Sequence, residues 1–429
     1  VDERKDGYDA VKGAAGLPYS NGKVGLFGMS YHGYTHLAAA VEKPPALKAI
    51  APVMTMGDPF RTVPAEIGAA TMTGQLQTWV LGSMVEDHLQ RKNRLDEAAF
   101  QKYLEKLPDL LWETPAVDWK PMKELDTYSY YFEFIQGELP ESVRKEAVVL
   151  DKLGDKDIPA LFIGGWFDAL LDPTLEMYHA YGGEKMLWIG PWTHEEMTGR
   201  AGDRFFEQAG ESIGVDGVKD PTALHIIWFD PWLKAKPLPI EKPVHLYLMG
   251  KSEWKAFDEW PPFAVHEQEL FLMSEGKSQT CSGDGKLSET PQQEETKSGL
   301  KHDPLNPVPI RGGKVLVAGY ESGVFEISDI QEREDVIVYT SEPLTEEKLI
   351  LGTVKMEIWV SAPSPLVDLA VRISDVDESG KAFIITDGFC REKVEILDEP
   401  FLVEMEIGAT AYLLEKGHRL RVDITASKA

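Results

Sequence analysis

The sequence predicts an α/β protein: a parallel sheet covered by helices on both faces, interrupted by a helical insertion and followed by a β-sandwich. Three observations carry this. Apolar strand-length runs alternate with helical patterns over 1–56 and resume at Ile158. Between them lies a helix-periodic stretch without convincing strands. After Pro239, helical periodicity gives way to short β-rich runs separated by Gly, Pro and Asp turns.

Taken in order, residues 1–56 read as helix, turn, strand, turn, helix, strand. The turn P-Y-S-N-G at 18–22 precedes the apolar run Lys23–Met29, an alanine-rich helix follows, and A-L-K-A-I-A-P-V occupies 46–53. Strands alternating with helices indicate a parallel sheet. Residues 57–150 carry Q-T-W-V-L-G-S-M-V-E-D-H-L and E-A-A-F-Q-K-Y-L-E-K-L, and read as an inserted cap. Its aromatics, Trp79, Trp112, Trp119, Tyr128, Tyr130, Tyr131, Phe132 and Phe134, are expected to form its core or to line a pocket. The sheet pattern continues over 151–238 with P-A-L-F-I-G-G-W, P-T-L-E-M-Y-H-A-Y, K-M-L-W-I-G-P and a helix over 221–235. Residues 239–429 read as the sandwich, with P-V-H-L-Y-L-M, K-M-E-I-W-V and L-V-E-M-E-I as strands. Within it, the stretch 275–300, rich in Ser, Gly, Gln, Glu and Lys, reads as a flexible loop.

A chain of 429 residues is too long for one ordinary core. With 44 basic and 71 acidic residues its net charge is −27, which repels phosphate backbones and anionic membranes and argues against either as a partner. The acidity itself reads as solubility. Two cysteines, Cys281 and Cys390, exclude a disulfide framework and a cysteine-rich metal site. No ligand cluster of suitable spacing implies a metal or organic cofactor. Val1 and the strand-like R-L-R-V-D-I-T-A-S-K-A read as truncation points, so localisation is left open.

The chemistry centres on G-M-S-Y-H-G at 28–33. The usual nucleophile elbow is G-x-S-x-G, whose glycines allow a sharp strand-to-helix turn. Here Gly28 stands two before Ser30, but the second glycine comes three after it. The flanking apolar strand and small-residue helix support the elbow over a serine that merely caps a helix. A serine hydroxyl needs a base, and the base an orienting acid, in chain order Ser, Asp or Glu, His. The next strand ends supply both: A-L-F-I-G-G-W-F-D ends at Asp168 and M-L-W-I-G-P-W-T-H at His194. His32 and His36 are too close to Ser30, and His179 falls within a helix. Asp172 is the rival acid, but its place before Pro173 reads as a helix N-cap.

With these motifs the chain resembles the cocaine esterase and X-prolyl dipeptidyl-peptidase family of serine hydrolases, in which a glycine three after the serine is normal. Further matches are H-D-P-L-N-P-V-P at 302–309, Y-T-S-E-P-L at 339–344 and E-K-G-H-R-L-R-V at 415–422. The resemblance implies an α/β-hydrolase fold, its N-terminal strands missing here, with a helical cap and a C-terminal jelly roll. It implies an oxyanion hole built from the Tyr31 backbone N–H and a tyrosine upstream of Val1. The chain expressed without that upstream part is therefore expected to be aggregation-prone through its exposed edge and nearly inactive.

The expected reaction is acyl transfer from an ester, amide or short peptide to water, with an acid-side pKa of about 6 to 7 for the base. Trp166 and Phe167 before the acid, and Leu170 and Leu171 after it, are expected to bind substrate. The resemblance implies acidic residues near this point in α-amino acid ester hydrolases; their absence favours esters or neutral acyl groups over peptides with free N-termini. X-prolyl dipeptidyl-peptidase activity is the alternative enzyme reading. A non-catalytic binding sandwich is the alternative of another class.

Overall fold

The computed structural model describes residues 2–62, 73–113, 115–125, 129–136, 138, 140–209, 213, 218, 220–263 and 265–427. The first strands are β1 (Val24–Met29), β2 (Leu47–Val53), β3 (Ala160–Phe167) and β4 (Lys185–Thr193). A short hairpin, β5 (Arg200–Ala201) and β6 (Arg204–Phe205), precedes β7 (Val244–Leu248) and β8 (Glu253–Phe257). One six-stranded sheet has the order β1-β2-β3-β4-β7-β8, parallel except for β8. Met29 lies opposite Val53, Val53 opposite Ile163 and Phe167 opposite Thr193, so the C-terminal ends of β1 to β4 share one edge. Ligands of parallel sheets gather along that edge.

Alternate residues of these strands face opposite sides, as a period of two demands. Ile50, Phe162, Leu187 and Ile189 pack with α1 (Glu3–Ala15), α2 (Tyr31–Val41) and α10 (Leu171–Ala180). Ala51, Ile163 and Trp188 turn the other way, onto Leu224 and Trp228 of α11 (Pro221–Lys234). Burial on both faces accounts for the unbroken apolar runs. No helix among the described residues is long and apolar enough to cross a membrane.

Between β2 and β3 come α3 (Pro59–Thr62), α4 (Thr73–Trp79), α5 (Glu86–Arg91), α6 (Glu97–Leu110), α7 (Lys120–Glu124), α8 (Ser129–Ile135) and α9 (Glu141–Ala147). A π-helical turn, Val80–Val85, joins α4 to α5. These helices have their own core, in which Trp119 and Tyr131 are fully buried and Phe132 and Phe134 partly so. Trp79 and Trp112 stay exposed. Tyr128 lies outside the described residues, as does the side chain of Tyr130.

The C-terminal part holds β9 (Phe271–Met273), β10 (Lys286–Ser288), β11 (Ile337–Thr340), β12 (Lys348–Val360), β13 (Leu366–Val376), β14 (Ala382–Lys393), β15 (Phe401–Leu414) and β16 (Arg419–Thr425). A sheet of order β14-β13-β16-β11-β10-β9 faces the antiparallel β12–β15 ladder. The two parts of the chain are joined by backbone: Met249 N–H donates to Ala411 O at 2.9 Å and Leu413 N–H to Met249 O at 2.8 Å. Their apolar interiors form one continuous cluster.

The expected loop over 275–300 is mostly turns and bends, and it is braced internally. Its polar residues hold turns around Ser274, whose Oγ donates to Asp284 Oδ1 at 2.5 Å while its carbonyl accepts from Thr296 Oγ1 and Gln292 Nε2. A polar composition that reads as mobile is here engaged in side-chain-to-backbone bonds, and the stretch contributes β10.

Two histidines, His245 buried and His36 partly buried, set an acid limit on stability. His245 stacks on Trp188 with ring centroids 3.7 Å apart, and burial pushes its pKa down to about 4. Burial, aided by His32, pushes His36 to about 4 as well. Both are neutral in the fold, whereas the unfolded chain takes up their protons near pH 6.5, so stability is lost as pH falls from about 6.5 towards 4. Calorimetric Tm should decline over that window, and less steeply in His245→Phe. A slope identical in the two proteins contradicts this.

Candidate active site

Ser30 stands between β1 and α2 with φ 59° and ψ −129°, a conformation that costs a non-glycine residue about 1–3 kcal/mol. Its side chain makes no capping bond, which separates it from an ordinary helix-capping serine. The surrounding structure holds the strain in place. Ser30 N–H donates to Val53 O at 2.9 Å, and Ser30 O accepts from Thr55 Oγ1 at 2.6 Å and Tyr34 N–H at 3.2 Å. Thr55 is braced in turn by Thr174 of α10, whose Oγ1 accepts from Thr55 N–H and donates to Thr55 O, both at 3.1 Å. These two threonines have no motif of their own and were invisible in the sequence. Gly33 owes its place to the same contact, since a Cβ there would lie 2.8 Å from the Thr55 side chain.

Asp168 follows β3 and is fully buried; His194 follows β4 and is 8% exposed. His194 Nδ1 and Asp168 Oδ1 are 2.8 Å apart. Gly165 makes this approach possible: a Cβ there would sit 2.3 Å from Trp192 O, so only glycine lets the ends of β3 and β4 close. Asp168 Oδ2 has no hydrogen-bond partner among the described residues. Burial is the largest influence on His194 and pulls its pKa down. The hydrogen bond and charge of Asp168, with Glu195, outweigh it and leave the ring above its ordinary 6.5.

The structure thus brings Asp168 and His194 together and sets Ser30 on the same sheet edge. No hydrogen bond joins Ser30 Oγ to His194 among the described residues. Tyr31 opens α2, so its backbone N–H points out of the helix start beside Ser30. Its hydroxyl donates to Glu3 Oε1 at 2.6 Å, and its ring lies against Trp79 with centroids 6.2 Å apart. One cap aromatic therefore reaches the residue next to Ser30.

Trp166, Phe167 and Leu171 are fully buried and Leu170 is 2% exposed. Trp166 Nε1 donates to Tyr247 O at 2.8 Å, and Phe167 stacks on Phe206. None of the four presents its side chain to solvent. The N-cap assigned to Asp172 is corrected: Leu170 caps α10, and Asp172 lies in its first turn. Its Oδ2 accepts instead from Lys314 Nζ at 2.6 Å, a partner 142 residues away. Among the described residues, no group of three or more His, Cys, Asp or Glu is placed to hold a metal ion.

Comparison with known proteins places the fold among known hydrolases. Residues 1–196 match the family model of the X-Pro dipeptidyl-peptidases (S15 family), and residues 240–429 that of the X-Pro dipeptidyl-peptidase C-terminal non-catalytic domain. The chain is 28% identical over 447 residues to the cocaine esterase of Rhodococcus sp. (strain MB1 Bresler), covering 100% of this chain and 77% of that protein. An aminopeptidase from the marine sediment archaeon Thaumarchaeota archaeon superposes with a TM-score of 0.76 at 21% identity. An α-amino acid ester hydrolase does so with a TM-score of 0.74 at 20% identity. Each covers 100% of this chain and 73% of the solved one, which shows a common fold. An α/β-hydrolase sheet and a β-rich C-terminal domain are matched along nearly the whole sequence, and the chain is a serine hydrolase similar to the S15 family.

Proposed function

We propose that Ser30, His194 and Asp168 form a catalytic triad that transfers an acyl group from an ester or amide to water. The observation that carries this reading is the 2.8 Å bond between buried Asp168 and His194, on the sheet edge that also bears Ser30. His194 takes the Ser30 proton, Ser30 attacks the carbonyl, and Asp168 fixes the tautomer and stabilises the imidazolium. The Tyr31 N–H donates to the oxyanion. His194 then protonates the leaving group, and water attacking the acyl-enzyme returns Ser30 to its starting state. Residues 1–56 and 151–238 form the catalytic unit in this reading, 57–150 its cap and 239–429 the sandwich.

Esters or neutral acyl compounds suit this site better than peptides with free N-termini. Leu170 and Leu171 are apolar, and Asp172 is already paired with Lys314, so the residues just past the acid offer no uncompensated carboxylate to an ammonium group. The net charge of −27 speaks against nucleic acid and anionic membranes as partners. A fluorophosphonate probe tests the activated serine: the full-length protein should label stoichiometrically at Ser30, and a protein left unlabelled is not a serine hydrolase of this mechanism.

The pH profile follows from the base. His194 must be neutral to accept a proton, and Asp168 holds its pKa above 6.5. The acid limb of kcat/KM for a p-nitrophenyl ester should therefore fall above pH 6.5, and should move to lower pH in Asp168→Asn. A limb below pH 6 in the unsubstituted enzyme is incompatible with His194 as the base.

A further inference from the structure

One loop of the sandwich, residues 311–324, touches the chain four residues past Asp168, seven to nine past His194, and at the cap residue next to Trp79. On the acid side, Lys314 Nζ meets Asp172 Oδ2 at 2.6 Å, four residues past Asp168. On the base side, Val324 N–H donates to Ala201 O at 3.2 Å and Val324 O accepts from Asp203 N–H at 2.9 Å, in the β5–β6 hairpin that follows His194. On the nucleophile side, Ala318 N–H donates to Thr78 Oγ1 at 3.0 Å. Thr78 adjoins Trp79, whose ring rests on Tyr31 next to Ser30.

The loop is itself firmly held. Gly313 and Gly323 pair across its base, with N–H···O distances of 2.8 and 3.0 Å. Lys314 N–H donates to Asp387 Oδ1 at 2.7 Å. The Lys314 side chain is 7% exposed, and its ammonium has Asp172 Oδ2 and, at 3.4 Å, Ile407 O. A cation this buried requires its partners, so the pair enforces one geometry between the sandwich and α10.

We infer that the 311–324 loop is a positioning element for acyl transfer, with Lys314 and Asp172 as its principal tie. The inference rests on the triad reading given above. Lys314 touches no reacting atom. It acts through the first turn of α10, where Leu171 N–H donates to Asp168 O at 3.1 Å, and so on the carboxylate that orients His194. A domain classed as non-catalytic thereby sets the geometry of the acid and of the cap helix over the nucleophile.

The test measures kcat and KM for a p-nitrophenyl ester, with kcat referred to active sites titrated by a fluorophosphonate. The proteins compared are full-length Lys314→Met, Lys314→Arg, Asp172→Asn and the double variant Lys314→Met/Asp172→Asn. Lys314→Met should lose about 10- to 100-fold in kcat per titrated site, the size expected of a small displacement, with KM little changed. Lys314→Arg should recover most of the loss, and the double variant should be no worse than the worse single. A loop that served stability alone would lower the number of titratable sites and leave kcat per site unchanged, and that result overturns the inference. Should Lys314→Met fail to fold, Thr78→Val removes the Ala318 tie instead, and an unchanged kcat per site there is equally decisive. Failure of the triad reading is seen separately, as labelling retained by Ser30→Ala. Failure of this inference alone leaves Ser30→Ala inactive and Lys314→Met at the level of the unsubstituted enzyme.

Discussion

Ser30→Ala should lose about 10⁶-fold in kcat on a p-nitrophenyl ester and all labelling by fluorophosphonate, with the fold intact. The fold survives because the bonds that hold this residue belong to its backbone: Ser30 N–H to Val53 O, and Ser30 O from Thr55 Oγ1 and Tyr34 N–H. The same geometry makes a second variant informative. Glycine adopts φ 59° without the penalty that alanine or serine bears. Ser30→Gly should therefore be as inactive as Ser30→Ala, yet more stable than the unsubstituted protein by about 1–2 kcal/mol. Denaturant titration reads the difference. Full labelling of Ser30→Ala would remove Ser30 from the mechanism, and a Ser30→Gly protein less stable than Ser30→Ala would show that the turn is not strained.

Asp168→Asn should cost about four orders of magnitude in kcat, because an amide facing Nδ1 favours the wrong imidazole tautomer. Its neighbour Asp172 provides the contrast. Asp172 sits a turn away, half-exposed and paired with Lys314, so Asp172→Asn should cost no more than about 100-fold, through displacement rather than loss of the acid. Single-turnover kinetics on both variants separate the two. A larger loss from Asp172→Asn than from Asp168→Asn would transfer the role of acid to Asp172.

The legible parts of this molecule were those with a local signature. β1, β3 and β4 announced themselves as apolar runs, and Ser30, Asp168 and His194 each end such a run, so strand pattern and chain order together pointed to one sheet edge. What escaped was made by residues distant in sequence. Thr55 and Thr174 brace the elbow across 119 residues, and Lys314 reaches Asp172 across 142. Asp172 before a proline carries the same local pattern whether it caps the helix or pairs with a lysine from another domain. Trp79 and Trp119 look alike in sequence too, yet one lies against Tyr31 and the other fills the cap's core. Polar side chains over 275–300 gave no sign that they would bond inward, because composition reports what a segment avoids burying and not which partners it finds.

The backbone bonds between Met249 and β15 have a consequence for the order in which this chain acquires its shape. Synthesis delivers β1 to β4 and β7 first, yet the interior shared with Ala411, Tyr412 and Leu414 stays open until those residues have left the ribosome tunnel. During that interval of translation the apolar face beside β7 is uncovered. Contacts spanning more than 160 positions form slowly, because closing so long a loop comes before any reward from the contact. The nascent chain therefore passes through a stage in which β1 to β4 are already made while the strand that covers β7 is still being written, and that stage is the one most exposed to aggregation and to chaperone capture.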